Sequence, residues 1–280
     1  MSHQQHQSDS RILDRRSLST DHRCLSSLLA PGMSVLDVGC GTGAITRGIA
    51  EAVGPGGIVV GVDRDEGLIE RARVHGASLP NLCFEQADAT RLDYDGRFDV
   101  VTAARTLQWI EDLPQAIRQM RQAARPGGLL VVLDYNHTHN SWDPAPPQEF
   151  AAFYAAFLSW RASNGWDNEV ANHCPALFED AGLRDIRTEV QDETSRKGDA
   201  DFLAKTALWT EVIDKLGPTL QSAGVCEPSL IGAARRSYDA WRMTVLTRHT
   251  LSLTATIGRV PGNPRDVGAP TAAHEVLRRV

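Results

Sequence analysis

The chain has 280 residues, 42% of them hydrophobic, and 29 Lys and Arg against 35 Asp and Glu give a formal net charge of -6. That length suits one large domain with insertions or two small ones, and the acidic balance argues against a general nucleic-acid binder, which needs a basic face for phosphate. No apolar run approaches membrane-spanning length, and Met1 to Ser10 is polar without an apolar signal core, so the expectation is no membrane, a cytoplasmic location and a small-molecule partner. Five cysteines, at positions 24, 40, 83, 174 and 226, make no Cys-x-x-Cys pair, so neither a disulfide framework nor a metal site is expected.

In chain order, Ile12, Leu18, Leu25, Leu28 and Leu29 predict a leading helix over residues 11 to 30, stopped by Ala30-Pro31-Gly32. Val35 to Gly43 then reads Val-Leu-Asp-Val-Gly-Cys-Gly-Thr-Gly, a buried strand breaking into a tight turn, and Ile45, Ile49 and Val53 carry the chain on as a helix. Glycines at 39, 41 and 43 remove every Cβ from one side of the turn, so a small anionic or polar ligand can lie against bare backbone near the helix's positive end. The second strand, Ile58 to Val62, stops on Asp63. About twenty residues past such a turn is where a nucleotide-binding α/β unit places the carboxylate that accepts from ribose hydroxyls.

A helix over Glu66 to His75 follows, then a strand from Leu82 to Ala87 that ends on Asp88-Ala89, and a fourth strand from Phe98 to Ala103. Leu113 to Ala124 predicts a helix with Pro114 in its first turn, Arg125-Pro126-Gly127-Gly128 a break, and Leu129 to Leu133 a fifth strand ending in Asp134-Tyr135-Asn136-His137. Five short strands alternating with helices imply a parallel sheet covered on both faces, with ligands at the carboxyl ends of its strands. Beyond Pro144 the aromatic-rich stretch Gln148 to Trp160 reads as a cap helix. A helix from Pro175, a sixth strand over Leu183 to Val190, helical stretches near Ala200 to Leu216 and Pro228 to Val245, and a last antiparallel strand over Leu251 to Val260 complete the pattern.

Taken together, Val35 to Gly43, Asp63, Asp88-Ala89 and the run from Phe98 through Leu107 and Trp109 to Gly128 resemble the class I S-adenosylmethionine-dependent methyltransferases, in the small-molecule branch that includes the ubiquinone/menaquinone-biosynthesis-like enzymes. The resemblance implies an α/β fold, a Rossmann-like doubly wound, mostly parallel seven-stranded sheet with an antiparallel last strand and a helical cap insertion. It implies one domain over 11–260, with helical insertions at about 141–174 and 199–246, between a disordered tail at 1–10 and a C-terminal tail at 261–280. It also implies that Asp37, Gly39, Cys40 and Gly41 line the methionine part of S-adenosylmethionine. Asp63 would take the ribose hydroxyls, Arg64 the adenine face, Asp88 the adenine amino group and the Ala89 N–H a ring nitrogen, with Ala104 and Arg105 near the methionyl end. His137 is the candidate general base, and Tyr135, Asn136 and His139 are candidate acceptor contacts.

The expected activity is methyl transfer to an O, N or C atom of a small organic acceptor by a monomer or homodimer. Two other readings remain at this point. Gly39-x-Gly41-x-x-Ala44 also fits the dinucleotide fingerprint of an NAD-dependent oxidoreductase. The lack of an unmistakable catalytic group suits a non-catalytic S-adenosylmethionine-binding protein.

Overall fold

The computed structural model describes residues 13–262, so the expected tail at 1–10, and that at 261–280 apart from its first two residues, lie outside the described residues. In chain order the elements are α1 (Leu18–Asp21), α2 (Arg23–Leu28), β1 (Ser34–Val38), α3 (Ala44–Val53), β2 (Ile58–Asp63), α4 (Glu66–Gly76), β3 (Leu82–Gln86), β4 (Phe98–Ala104), α5 (Leu113–Ala123) and β5 (Ala124–Tyr135). These continue into β6 (Ser141–Asp143), α6 (Gln148–Ser163), α7 (Val170–Asp180), β7 (Arg184–Val190), β8 (Glu193–Arg196), α8 (Phe202–Thr206), α9 (Leu208–Ser222), α10 (Pro228–Thr244), β9 (Arg248–Leu251) and β10 (Leu253–Arg259). Two compact units divide the described chain: one takes 13–134, 171–189 and 255–262, the other 135–170 and 190–254.

The first unit is built on a seven-stranded sheet of order β3-β2-β1-β4-β5-β10-β7. β1 pairs in parallel with both β2 and β4, and β4 in parallel with β5. β10 runs the other way, its end tied to β5 by Gly127 N–H to Val260 O and Val260 N–H to Gly128 O, each 2.9 Å. The chain winds outward from β1 to β2 and β3, then returns to the other side of β1 at β4. The carboxyl ends of β1 and β4 therefore flank the point where the winding direction reverses, the crevice in which such sheets bind ligands. Val35, Leu36, Val59, Val62, Val101 and Leu130 are all fully buried, as expected of strands covered on both faces.

Several elements differ from the sequence expectation. The leading helix is two short ones that meet at His22, whose backbone leaves the helical region at φ -147° and ψ 57°. β5 starts at Ala124 instead of Leu129, because the Pro-Gly-Gly stretch stays in the ladder across a register shift opposite Phe98 and Val100. α7 begins at Val170 and carries Pro175 inside it, where the buried stripe of Val170, Cys174 and Phe178 outweighs one lost backbone bond. The stretch after Ala200 is likewise two helices, α8 and α9.

The second unit holds a small sheet of order β6-β9-β8, which the sequence did not announce, with antiparallel pairing such as Trp142 opposite His249 and Thr194 opposite Thr250. Its strands are three and four residues long, too short for their alternation to stand out. Around it α6, α9 and α10 pack by their aromatic rings: Phe150 meets Tyr238 with centroids 4.3 Å apart, and Tyr154 meets Trp209 edge-on at 4.9 Å. Among the described residues no helix is long and apolar enough to cross a membrane.

Candidate cofactor-binding site

The turn between β1 and α3 is shaped by its glycines. Gly39, Gly41 and Gly43 all have positive φ, at 75°, 56° and 75°, a region that L side chains enter only with strain. Protein atoms, as well as torsion, exclude a side chain at these positions. A Cβ on Gly39 would collide with the Thr106 side chain, one on Gly41 would stand 2.9 Å from Leu13 Cδ1, and one on Gly43 would stand 2.5 Å from Phe84 Cζ. The N–H groups of Gly39 and Cys40 both donate to Val62 O, at 2.7 and 3.0 Å, which pins the turn to the end of β2. In α3 the Arg47 N–H reaches Gly43 O at 3.0 Å, so the N–H groups just before it have no acceptor within the helix.

Asp63, at the end of β2, completes the turn. Its Oδ2 accepts from the Gly41 N–H at 2.9 Å and its Oδ1 from the Asp65 N–H at 3.0 Å, which fixes the carboxylate and leaves a lone pair on each oxygen. Burial raises its pKa above the ordinary carboxylate value against those two bonds. Asp37 in β1 is buried and accepts from Thr46 Oγ1 at 2.7 Å; burial lifts its pKa to about 6 despite that bond. The Cys40 thiol is pushed well above its ordinary value by burial and by the charges of Asp37 and Asp63, so it is protonated and no nucleophile.

A cleft opens beside this turn. Of the sequence candidates, Asp37, Gly39, Cys40, Gly41 and Ala104 line it, joined by Leu13, Arg16, Thr42, Ala44 and Ile45, which were not among the expected S-adenosylmethionine contacts. The Gly-Thr-Gly context was a signal for Thr42; nothing in the sequence marked Leu13 and Arg16, which precede β1 by some twenty residues. Arg64 and Asp88 lie on the surface, and Ala89 is half-buried. The Asp88 carboxylate accepts from Thr90 N–H at 2.8 Å and Thr90 Oγ1 at 2.7 Å. Burial raises its pKa, but the Thr90 bonds together with Arg64 and Arg91 outweigh that and hold it below the ordinary value.

Arg105 adopts the left-handed conformation at φ 57°, with its N–H on Leu133 O at 2.7 Å. Its buried guanidinium is directed at Asp21, donating to the main-chain oxygen at 2.9 Å and standing 3.8 Å from the carboxylate. The positive charge of Arg105 adds to burial in driving the His22 pKa down to about 3. Neutral His22 in turn sits 3.0 Å from Thr102 Oγ1, which donates to Val131 O.

The remaining candidates belong to the second unit. His137 is buried, stacked on Tyr135 at 5.0 Å and edge-on to Phe157 at 5.9 Å, with its N–H on Asn168 O at 2.7 Å. Burial, and then the charge of Arg161, push its pKa well below the ordinary imidazole value. Asn136 is buried with its N–H on Ser252 O at 2.9 Å, while His139 is exposed.

Turn, acid and switch point together define the class: this is a class I S-adenosylmethionine-dependent methyltransferase fold. The chain belongs to the methyltransferase-domain family, whose model matches residues 29–181. It is 30% identical over 171 residues to the demethylmenaquinone methyltransferase of Staphylococcus aureus, spanning 56% of this chain and 70% of that protein. It is 40% identical over 103 residues to an uncharacterized 37.1 kDa protein of a Streptomyces fradiae transposon, covering 36% of this chain but only 30% of that protein. Among solved structures, phosphoethanolamine N-methyltransferase 2 of Haemonchus contortus, bound to phosphomonomethylethanolamine and S-adenosylhomocysteine, superposes with a TM-score of 0.52 at 17% identity, over 83% of this chain and 50% of that one.

Proposed function

We propose that the chain transfers the methyl group of S-adenosylmethionine to an O, N or C atom of a small organic acceptor. The observation that carries this is Asp63: a carboxylate held on both oxygens by backbone N–H groups, one of them inside the glycine turn, with lone pairs left for a ribose diol. The cofactor supplies an electrophilic methyl on a sulfonium that departs as a neutral thioether. Because the charge is already in the donor, the chain's task is to position two atoms in line and exclude water.

In this reading the Gly39 to Gly43 backbone bounds the methionine part, with Asp37 and Ala104 at its sides, and Arg105 contributes its main chain while its guanidinium stays on Asp21. Asp88, kept ionised, accepts from the adenine amino group, the Ala89 N–H meets a ring nitrogen, and Arg64 covers the ring. His137, neutral in its aromatic setting, takes the proton of a hydroxyl or amine acceptor, and Tyr135, Asn136 and His139 contact that acceptor. The likeness to a demethylmenaquinone methyltransferase favours a quinone-like acceptor.

Calorimetric titration with S-adenosylhomocysteine and with NADH tests the reading. The first is expected to bind and the second not; binding of NADH alone sinks it. Asp63→Ala is expected to weaken S-adenosylhomocysteine by about tenfold, through loss of charge-assisted hydrogen bonds. Unchanged affinity removes Asp63 from the site.

A further inference from the structure

The seven-stranded sheet ends on β3 at one side and on β7 at the other, and the two edges are finished differently. β3 is half-buried, and Arg73 Nε of α4 donates to its Phe84 O at 3.2 Å, a cap that keeps a further strand from adding there. β7 is bare. Six of its seven residues are exposed, Val190 by 73%, so it offers a row of main-chain N–H and C=O groups to any strand that can lie beside it.

The inner pairing decides which groups face outward. The Gln191 N–H donates to Leu253 O at 2.8 Å, and six residues earlier Asp185 stands 3.8 Å from Arg259, so β7 and β10 run antiparallel with odd-numbered β7 residues opposite odd-numbered β10 residues. Main-chain groups alternate in direction along such a strand. The odd residues bond inward to β10, and Ile186, Thr188 and Val190 present theirs outward. Asp185 is left-handed at φ 52°, which ends the extended run and leaves Ile186 to Val190 as the stretch able to pair.

That stretch is complementary to itself. With a two-fold axis at Thr188, antiparallel pairing sets Ile186 opposite Val190 and Arg187 opposite Glu189, each pair occurring twice. Arg187 and Glu189 are half-exposed on one face of β7, 3.7 Å apart, and both can turn to a partner. An axis at Arg187 would instead oppose that residue to itself and Asp185 to Glu189, like charges that weaken a pair of strands. An axis at Ile186 would depend on Asp185, whose backbone is not extended and whose carboxylate already stands at Arg259.

We propose that β7 pairs with β7 of a second copy of this chain across a two-fold axis at Thr188, so that two sheets join into one and the protein is a homodimer. The contact is isologous, with each copy supplying the same strand. One pair of strands buries an area at the low end for a specific interface, which sets the expected dissociation constant in the region of about 1–10 μM.

Sedimentation velocity of the full chain over about 1–100 μM tests the assignment. Wild type is expected to pass from monomer to dimer across that range. Arg187→Glu and Glu189→Arg each place like charges opposite one another twice and are each expected to weaken the dimer by about tenfold or more. Mixed in equal amounts, the two variants are expected to dimerise again, because every cross-strand pair in the heterodimer joins opposite charges. Thr188→Pro removes the outward N–H on the axis, at a place where an edge strand accommodates proline, and is expected to abolish the dimer.

A wild type that stays monomeric at about 100 μM overturns the proposal, and so does a dimer that all three variants leave intact. Two monomeric variants whose mixture stays monomeric overturn it as well, since the recovery is specific to this register. Melting curves taken where wild type is monomeric separate lost pairing from lost folding. Glu189 stands beside the Cys24 thiol of α2, so if Glu189→Arg fails to fold, Arg187→Glu and Thr188→Pro decide, and both must lose the dimer.

Discussion

The two units solve different problems. In the first, residue identities follow from backbone: positive φ at three glycines, N–H groups that need acceptors, and acids placed to supply them. In the second they follow from the shapes of side chains. Phe150, Phe153, Phe157, Trp160, Trp209 and Tyr238 are buried together, and Trp142 lies flat on His249 at 5.2 Å. A backbone-defined site tolerates little change at a few positions, whereas an aromatic core spreads its stability over many large rings.

The largest expected effect tests the second half of that contrast. Phe150 has no exposed surface and touches the rings of Trp142, Trp209 and Tyr238, so Phe150→Ala removes packing on three sides. Urea unfolding is expected to show a loss of about 3–5 kcal/mol, the range for truncating a buried aromatic. A loss under about 1 kcal/mol, the size typical of surface positions, breaks the picture of a shared aromatic core.

The contrast also explains what could be read from the sequence. The glycine turn, Asp63 and Asp88-Ala89 were legible because each is a local pattern: a strand ending on a turn or an acid, at a spacing set by the βα unit. Thr42 stood within that motif, but its unpartnered hydroxyl is a property of packing. Leu13 and Arg16 reach the cleft through a fold-back held by Asp14 on Arg71, and one sequence carries no sign of such a contact. In the second unit the aromatic stripe of α6 was visible as a helix, but its partners come from residues 142, 209 and 238, far apart in the chain. The break predicted at Gly127-Gly128 failed for a related reason, since Val260, over 130 residues later, supplies the bonds that keep the strand going.

A pH experiment sharpens the comparison. Asp37 titrates near 3.8 when unfolded and at about 6 in the fold, so the folded chain holds its proton more tightly. Its contribution is complete below 3.8 and is lost as pH rises through 6, a change of about 3 kcal/mol. His249, in the second unit, accepts from Trp209 Nε1–H at 3.2 Å, and burial lowers its pKa from 6.5 to about 4. Its contribution is complete above 6.5 and is lost as pH falls toward 4, by about the same amount. His22 has the same sign as His249, so variants are needed to separate the groups. Asp37→Asn is expected to make stability rise more steeply with pH between 4 and 6, and His249→Gln to make it rise less steeply. Changes of the same sign in both variants remove the distinction.

The smallest contrast lies within the first unit, between two glycines that share a left-handed backbone. Gly96, at φ 58°, has nothing within 4 Å of the place a Cβ would take, whereas Gly39 has Thr106 in the way. Gly96→Ala therefore meets only the torsional penalty, about 1 kcal/mol, and is expected to leave S-adenosylhomocysteine affinity untouched. Gly39→Ala meets the same penalty and must also displace Thr106, whose hydroxyl lies 3.2 Å from Ala104 O at the end of β4. That shift moves the two strand ends that bound the cleft, so Gly39→Ala is expected to lose ligand affinity as well as stability. Equal thermal shifts with unchanged titrations for both variants would mean that torsion alone selects glycine at position 39, and that the close approach of Thr106 contributes nothing to the geometry of the site.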